Sequence, residues 1–282
     1  MTVYLNGDFL PLAEARIPVL DRGFIFGDGV YEYIPVYSRK PFRMREHLGR
    51  LQASLDSIRL HNPLDEAGWT NRIDTLVAAQ DFDDQALYIQ ITRGVAPRDA
   101  AFPASTPPTV FMMAHPLPTP SAELKANGVN AITAADNRWL RCDIKAVSLL
   151  PNVLLRQMSV DAGCAETVLL RDGLLTEGTA SSIFVVQGGV LLAPPKSNLI
   201  LPGITYDIVL ELAAQHGIPY QIRPISEAEV RSADELWLAS SPKEVLAIVT
   251  LDGIAVGEGR PGPMIRRMDA LYQQYKMNVM RA

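Results

Sequence analysis

Between Pro97 and Pro120 the chain is rich in proline, and it closes on His115-Pro116-Leu117-Pro118-Thr119-Pro120. Proline fixes φ and has no N–H to donate, so neither a helix nor a central strand runs comfortably through such a stretch. The chain must fold on either side of it. Its last residues read as the end of a first domain and a stiff linker. We place the boundary near Thr119, with one domain over residues 1–118 and a second over 119–282. That length can bury a sizeable core.

The first part mixes strands with helices. Val3 to Leu10 reads as a hairpin around Asn6-Gly7-Asp8, and Gly29 to Tyr37 alternates as a strand with Pro35 marking an edge or bulge. Leu48, Leu51, Leu55 and Ile58 repeat at helical spacing, which predicts a helix from Arg45 to about Leu60. A second helix is expected over Glu66 to Ala79, then strands over Ala86–Gly94 and Thr109–Ala114. In the second part, Arg171-Asp172-Gly173 and Gln187-Gly188-Gly189 each join two short apolar runs, as hairpin turns do. Asn152 to Gly163 reads as a helix capped by Asn152, and Thr205 to His216 as another closed by Gly217. Helices interspersed with hairpins predict an α+β (mixed α/β) fold rather than a doubly wound sheet.

A net charge of -5 excludes a broad basic footprint for nucleic acid or anionic lipid. No apolar run is long enough to span a bilayer, and no signal-peptide pattern opens the chain. Cys142 and Cys164 are too few for a disulfide scaffold, and together these features predict a cytoplasmic protein. The four histidines show no ligand spacing, so no metal site is expected.

Lys145 stands in the otherwise largely apolar run Arg141 to Leu150. Burying an ammonium is costly and lowers its pKa, which makes a lysine the nucleophile that carbonyl and pyridoxal phosphate chemistry requires. On periodicity alone the favoured reading is an edge lysine whose stem packs while its head reaches water. Glu177 lies between two apolar strands, where a carboxylate could face a pyridine nitrogen or simply sit in a solvated turn. Gly203-Ile204-Thr205 opens a helix, and free N–H groups at such a start suit a phosphate, although most helix starts bind nothing. Ser240-Ser241 offers hydroxyls at a strand end, or a plain turn.

Six ordered segments carry a resemblance. They are Asp21–Glu32, Glu46–Leu51, Thr92-Arg93-Gly94 with Pro97-Arg98, Trp139–Lys145, Thr176-Glu177-Gly178, and Gly203-Ile204-Thr205. Together they resemble the fold type IV pyridoxal phosphate enzymes, and most closely the D-amino acid aminotransferases. The resemblance implies two domains with pyridoxal 5'-phosphate at their interface. It makes Lys145 the Schiff-base and proton-shuttling lysine and pairs Glu177 with the ring nitrogen. It gives the phosphate to Arg50, Ile204 and Thr205. Periodicity alone would leave Arg50 a solvated charge, because it lies off the apolar stripe of its helix. Ser181, Ser240 and Ser241 match positions near the cofactor and substrate. Tyr31 and Arg98 match a substrate-carboxylate site whose arginine comes from a partner subunit, which implies a homodimer.

Two departures stand out. The family pattern Arg-x-His is here Arg98-Asp99-Ala100, and the usual Ser-Asn after the glutamate is here Ser181-Ser182. The implied activity is transfer of an amino group from a D-amino acid such as D-alanine to a 2-oxo acid. The alternatives on the same fold are an aminodeoxychorismate lyase-like enzyme, a branched-chain L-amino acid transaminase and an (R)-amine transaminase.

Overall fold

The computed structural model describes all residues 1–282, which form two compact units. The first comprises Met1–Pro118, Ile144–Leu149 and Arg281; the second holds Thr119–Asp143, Leu150–Met280 and Ala282. The segment around Lys145 therefore packs with the first unit although it lies beyond the proline-rich stretch.

The first unit is built on a six-stranded antiparallel sheet. Its strands are β1 (Thr2–Leu5), β2 (Asp8–Pro11), β3 (Gly29–Tyr37), β4 (Lys40–Pro41), β5 (Gln85–Thr92) and β6 (Thr109–Pro116), in the order β2-β1-β6-β5-β3-β4. The β1–β2 turn places Asn6 and Gly7 at positive φ, as a tight hairpin requires. Three helices accompany the sheet: α1 (Arg22–Phe26), α2 (Met44–Ser57) and α3 (Glu66–Ala78). Leu51 and Leu55 of α2 and Ile73, Leu76 and Val77 of α3 share one core with Val30, Ile34, Leu87 and Ile89 of the sheet. Each fully buried side chain of this size contributes about 1.5–3 kcal/mol of transfer free energy. Asp65 caps α3 by accepting the Gly68 N–H.

β3 pairs with β5 along its length, whereas β4 covers only Val36 and Tyr37 on its other side. The free half of that edge is taken by the Lys145 segment. Tyr31 N donates to the Lys145 carbonyl at 2.8 Å and Val147 N to that of Gly29 at 3.0 Å. The expected edge character of β3 thus has a use.

The second unit is a nine-stranded mixed sheet: β7 (Val129–Ala135), β8 (Glu166–Arg171), β9 (Leu174–Gly178), β10 (Ser182–Gln187), β11 (Val190–Ala193), β12 (Tyr220–Ile222), β13 (Glu235–Ser240), β14 (Glu244–Leu251) and β15 (Ile254–Ala255). The order is β12-β11-β10-β13-β14-β7-β8-β9, with β15 on β14. Its helices are α4 (Ala122–Asn127), α5 (Leu150–Asp161), α6 (Ile204–Gln215), α7 (Glu227–Arg231) and α8 (Pro263–Tyr275). Both hairpin turns occur as expected, with Asp172, Gly173, Gly188 and Gly189 at positive φ.

Asn152 does not cap its helix. α5 begins at Leu150, and the Asn152 amide donates to the Thr179 carbonyl at 2.8 Å. The side chain serves a long-range contact in place of the local one that its residue type suggests. No helix is long and apolar enough to cross a membrane.

Candidate active site

In the first unit, Lys145 is half-buried between the buried Ile144 and Ala146. Its backbone is held by the β3 edge and by the Ser54 hydroxyl, which accepts the Lys145 N–H at 3.2 Å. The ammonium lies 4.2 Å from the centroid of the Tyr31 ring, a cation–π distance. Tyr31 in turn packs on Tyr88 with ring centroids 5.6 Å apart.

Arg50 is not a solvated charge. Glu32, fully buried on β3, accepts from Arg50 Nε at 3.0 Å and from Nη2 at 2.5 Å. Glu32 also accepts from its neighbour Tyr33 N and pairs with His47 Nδ1 at 3.1 Å. Burial alone would raise the Glu32 carboxyl; the Arg50 charge and the His47 contact outweigh it and hold the group well below the usual carboxylate range. Burial first, and then the neighbouring Arg50 and Lys145 charges, lower the His47 pKa against the pull of Glu32. His47 Nε2 is buried without a partner.

Glu32 and His47 are residues whose roles the sequence reading did not identify. The signal was present: Glu32 shares the Val30, Ile34 and Val36 face of β3, and a carboxylate on a core face requires a partner. His47 and Arg50 are three apart on α2 and so share a helix face.

In the second unit, Glu177 ends near the C-terminus of β9 and is buried. Its carboxylate accepts from Arg138 Nη1 at 2.5 Å and from Leu201 N at 3.2 Å. Burial pushes this carboxyl up to about 7, against the Arg138 charge and the two hydrogen bonds. Arg138 is fixed from behind by Asp136, which accepts from its Nε and Nη2, each at 2.9 Å. Asp136 also receives the Thr176 hydroxyl and pairs with Arg171. Arg138 sits in the loop after β7, where no periodicity marks it.

The N–H groups at the start of α6 begin at Ile204 and Thr205, both buried, with Gly203 as N-cap and no side-chain cap. A Cβ on Gly203 would lie 2.9 Å from Ser182 Oγ and 3.3 Å from Tyr206 Cβ, so the turn is closely packed. The Ser181 hydroxyl donates to the buried Glu166 at 2.7 Å. Glu166 also accepts from Thr179 N and Oγ1 and from Lys243 Nζ. Ser240 ends β13 and accepts the Lys243 N–H at 3.3 Å; Ser241 follows it, half-buried.

Arg98 is exposed on the loop after β5, 5.5 Å from the Phe26 ring centroid. The Asp99 carboxylate, an added negative charge in the sequence, accepts the Ala101 N–H at 3.0 Å and so closes a local turn.

Taken separately, each unit carries groups that suit parts of pyridoxal phosphate. The first unit supplies an amine for the aldehyde and an oriented guanidinium for the phosphate. The second supplies a buried carboxylate for a ring nitrogen and a helix start for phosphate oxygens.

Residues 29–251 match the model of the class IV amino-transferase family, and the chain belongs to that family. It is accordingly an aminotransferase, and its cofactor is pyridoxal 5'-phosphate. The chain is 39% identical over 273 residues to D-alanine aminotransferase of Bacillus licheniformis, covering 97% of this chain and 96% of that protein. It is 35% identical to D-alanine aminotransferase of Staphylococcus haemolyticus, with 97% of each covered. Among solved structures it resembles the branched-chain amino acid aminotransferase of Escherichia coli, at TM-score 0.90 and 27% identity over 99% of this chain and 94% of that one. A second branched-chain amino acid aminotransferase, solved with pyridoxamine 5'-phosphate, gives TM-score 0.91 and 25% identity over 100% and 95%.

Proposed function

We propose that the chain transfers the amino group of a small D-amino acid, such as D-alanine, to a 2-oxo acid such as 2-oxoglutarate or pyruvate. The observation that carries this reading is its identity of 39%, over 97% of its length, to a D-alanine aminotransferase. In this reading Lys145 would hold the cofactor through its amine, and its Nζ would take the donor's α-proton. The Tyr31 ring beside that nitrogen orients it. Glu177, fixed by Arg138 and Leu201 N, holds the ring nitrogen's proton. Arg50, oriented by Glu32, binds phosphate together with the N–H groups of Gly203, Ile204 and Thr205. Ser181, Ser240 and Ser241 line the cofactor. Bound pyridoxal phosphate supplies the electron sink for the charge left on the donor's Cα.

Tyr31 and Arg98 receive the carboxylate, Arg98 from a second copy. The working assembly is thus a homodimer of chains, each with domains over 1–118 and 119–282. Exposed apolar side chains support it: Val19 and Phe24 in the first unit, and Leu150, Val153 and Leu154 in the second. The composition and the cysteine count support a cytoplasmic setting.

A branched-chain L-amino acid is the second reading, favoured by the structural likeness at TM-score 0.90 and by the missing histidine at Ala100. Rates with D-alanine, L-leucine and a simple (R)-amine, each with and without 2-oxoglutarate, separate the readings. D-alanine should be fastest, and only with acceptor present. Faster turnover of L-leucine overturns the donor assignment; catalytic pyruvate release without acceptor from aminodeoxychorismate, which already carries its pyruvate as an enol ether, indicates a lyase.

A further inference from the structure

From Arg93 to Pro108 the chain has no regular secondary structure beyond an isolated bridge at Val95, yet this stretch carries Arg98. What fixes it is α1 and its cap. The fully buried Asp21 accepts the hydroxyls of Thr92 and Thr109, one at each end of the stretch, at 3.0 and 2.6 Å. The next residue, Arg22, holds its middle. Arg22 is 3% exposed. Its Nη1 donates to the Asp99 carbonyl and its Nη2 to the Ala100 carbonyl at 3.4 Å, while Nε donates to Asp28 at 2.8 Å.

The same Asp28 oxygen receives Arg93 Nε at 2.8 Å, and Arg93 is tied to the end of α2 through the Ile58 carbonyl at 2.7 Å. Aromatic rings complete the frame. The guanidinium carbons of Arg22 and Arg98 lie 4.8 and 5.5 Å from the centroid of Phe26. Those of Arg93 and Arg59 lie 3.7 and 4.9 Å from that of Phe102.

We propose that Arg22 is the positioning residue of the Arg98 loop. Its guanidinium gathers Asp28, two successive loop carbonyls and the Phe26 ring into one rigid unit. That fixes where Arg98 can meet a substrate carboxylate without help from a histidine at position 100. A planar guanidinium is suited to this because its N–H groups diverge in one plane toward several acceptors, which an ammonium cannot imitate. The inference rests on the reading of Arg98 as carboxylate ligand. Arg22 itself touches only protein groups in the structure, so it acts through Arg98.

The test uses the cofactor-loaded enzyme with Arg22→Gln, Arg98→Gln and the double variant, followed by KM and kcat for D-alanine and 2-oxoglutarate. Arg22→Gln should raise both KM values about tenfold while kcat falls by less than about threefold, because carboxylate capture is what it loses. Added to Arg98→Gln, it should cost less than about twofold more, since its route of action is already gone. KM values within about twofold of wild type overturn the proposal, as does a fall in kcat with KM unmoved, or a full multiplicative effect in the double variant. Arg22→Lys is the second variant if the glutamine form does not fold: it keeps the charge beside Asp28 and should still show the KM effect. If Arg98→Gln leaves KM unmoved, the carboxylate reading itself has failed. If Arg98→Gln raises KM and Arg22→Gln does not, only the positioning role has failed.

Discussion

Lys145 is held by its backbone rather than by its side chain, which leaves the amine available over Tyr31. Lys145→Ala should lower kcat/KM by about 10⁴, the scale of losing both a nucleophile and an acid–base group. Steady-state rates with D-alanine check this; a loss below about tenfold would assign the proton transfer elsewhere.

Behind Glu177, Asp136 gives a prediction about pH. Burial raises its carboxyl, but the hydrogen bonds and charge of Arg138, with Thr176 and Arg171, bring it down to about 2 from 3.8. A depressed acid contributes stability above its unfolded pKa and loses it as pH falls through the folded one, here between about 4 and 2, with a magnitude of about 2 kcal/mol. Urea unfolding of Asp136→Asn should therefore differ from wild type most above pH 5 and converge toward it near pH 2. A pH-independent difference would contradict the assignment. Lys145 and Glu177 stand out in the sequence through the short motifs that carry the family resemblance, while their local patterns left bland readings open. Asp136 and Arg138 were not marked, because their further partners Arg171 and Glu177 lie far along the chain, and Glu32 was marked only by its place on the buried face of β3.

At the scale of elements, β3 carries most of the first unit's candidate residues: Tyr31 and Glu32 on its strand, and the Lys145 segment on its edge. Gly29 is the tight point. A Cβ there would meet the Ile91 carbonyl oxygen at 2.6 Å and Thr92 Cα at 3.0 Å, both backbone atoms on β5. Gly29→Ala should destabilise by about 1–3 kcal/mol, the range for overpacking, and it should also lower kcat, since Gly29 O receives Val147 N. Thermal unfolding and kinetics on one preparation check both effects; unchanged kcat with lowered stability would separate Lys145 from the β3 edge. The alternation from Gly29 to Tyr37 marked this strand to the residue, because one face is buried. Asn152 misled, since its amide bonds a strand-end carbonyl that no local rule anticipates. α1 was missed as a helix because five residues show no period.

For the whole molecule, the proline-rich stretch suggested a division near Thr119, but sequence order could not reveal that residues 144–149 return to the first unit. A sheet edge left open on β3 recruits them, and edge pairing of this kind is decided by tertiary structure. The proposed homodimer predicts sedimentation at twice the chain mass of 30.9 kDa. Loss of activity should follow Phe24→Asp or Leu154→Asp in step with dissociation; full activity of a monomeric form would contradict a shared site.

The most direct test of the central claim is the cofactor's absorption during a half-reaction. D-alanine should bleach the yellow colour of the loaded enzyme, L-alanine should leave it, and 2-oxoglutarate should restore it. A chromophore that D-alanine leaves unchanged, or that either enantiomer bleaches equally, would contradict the account.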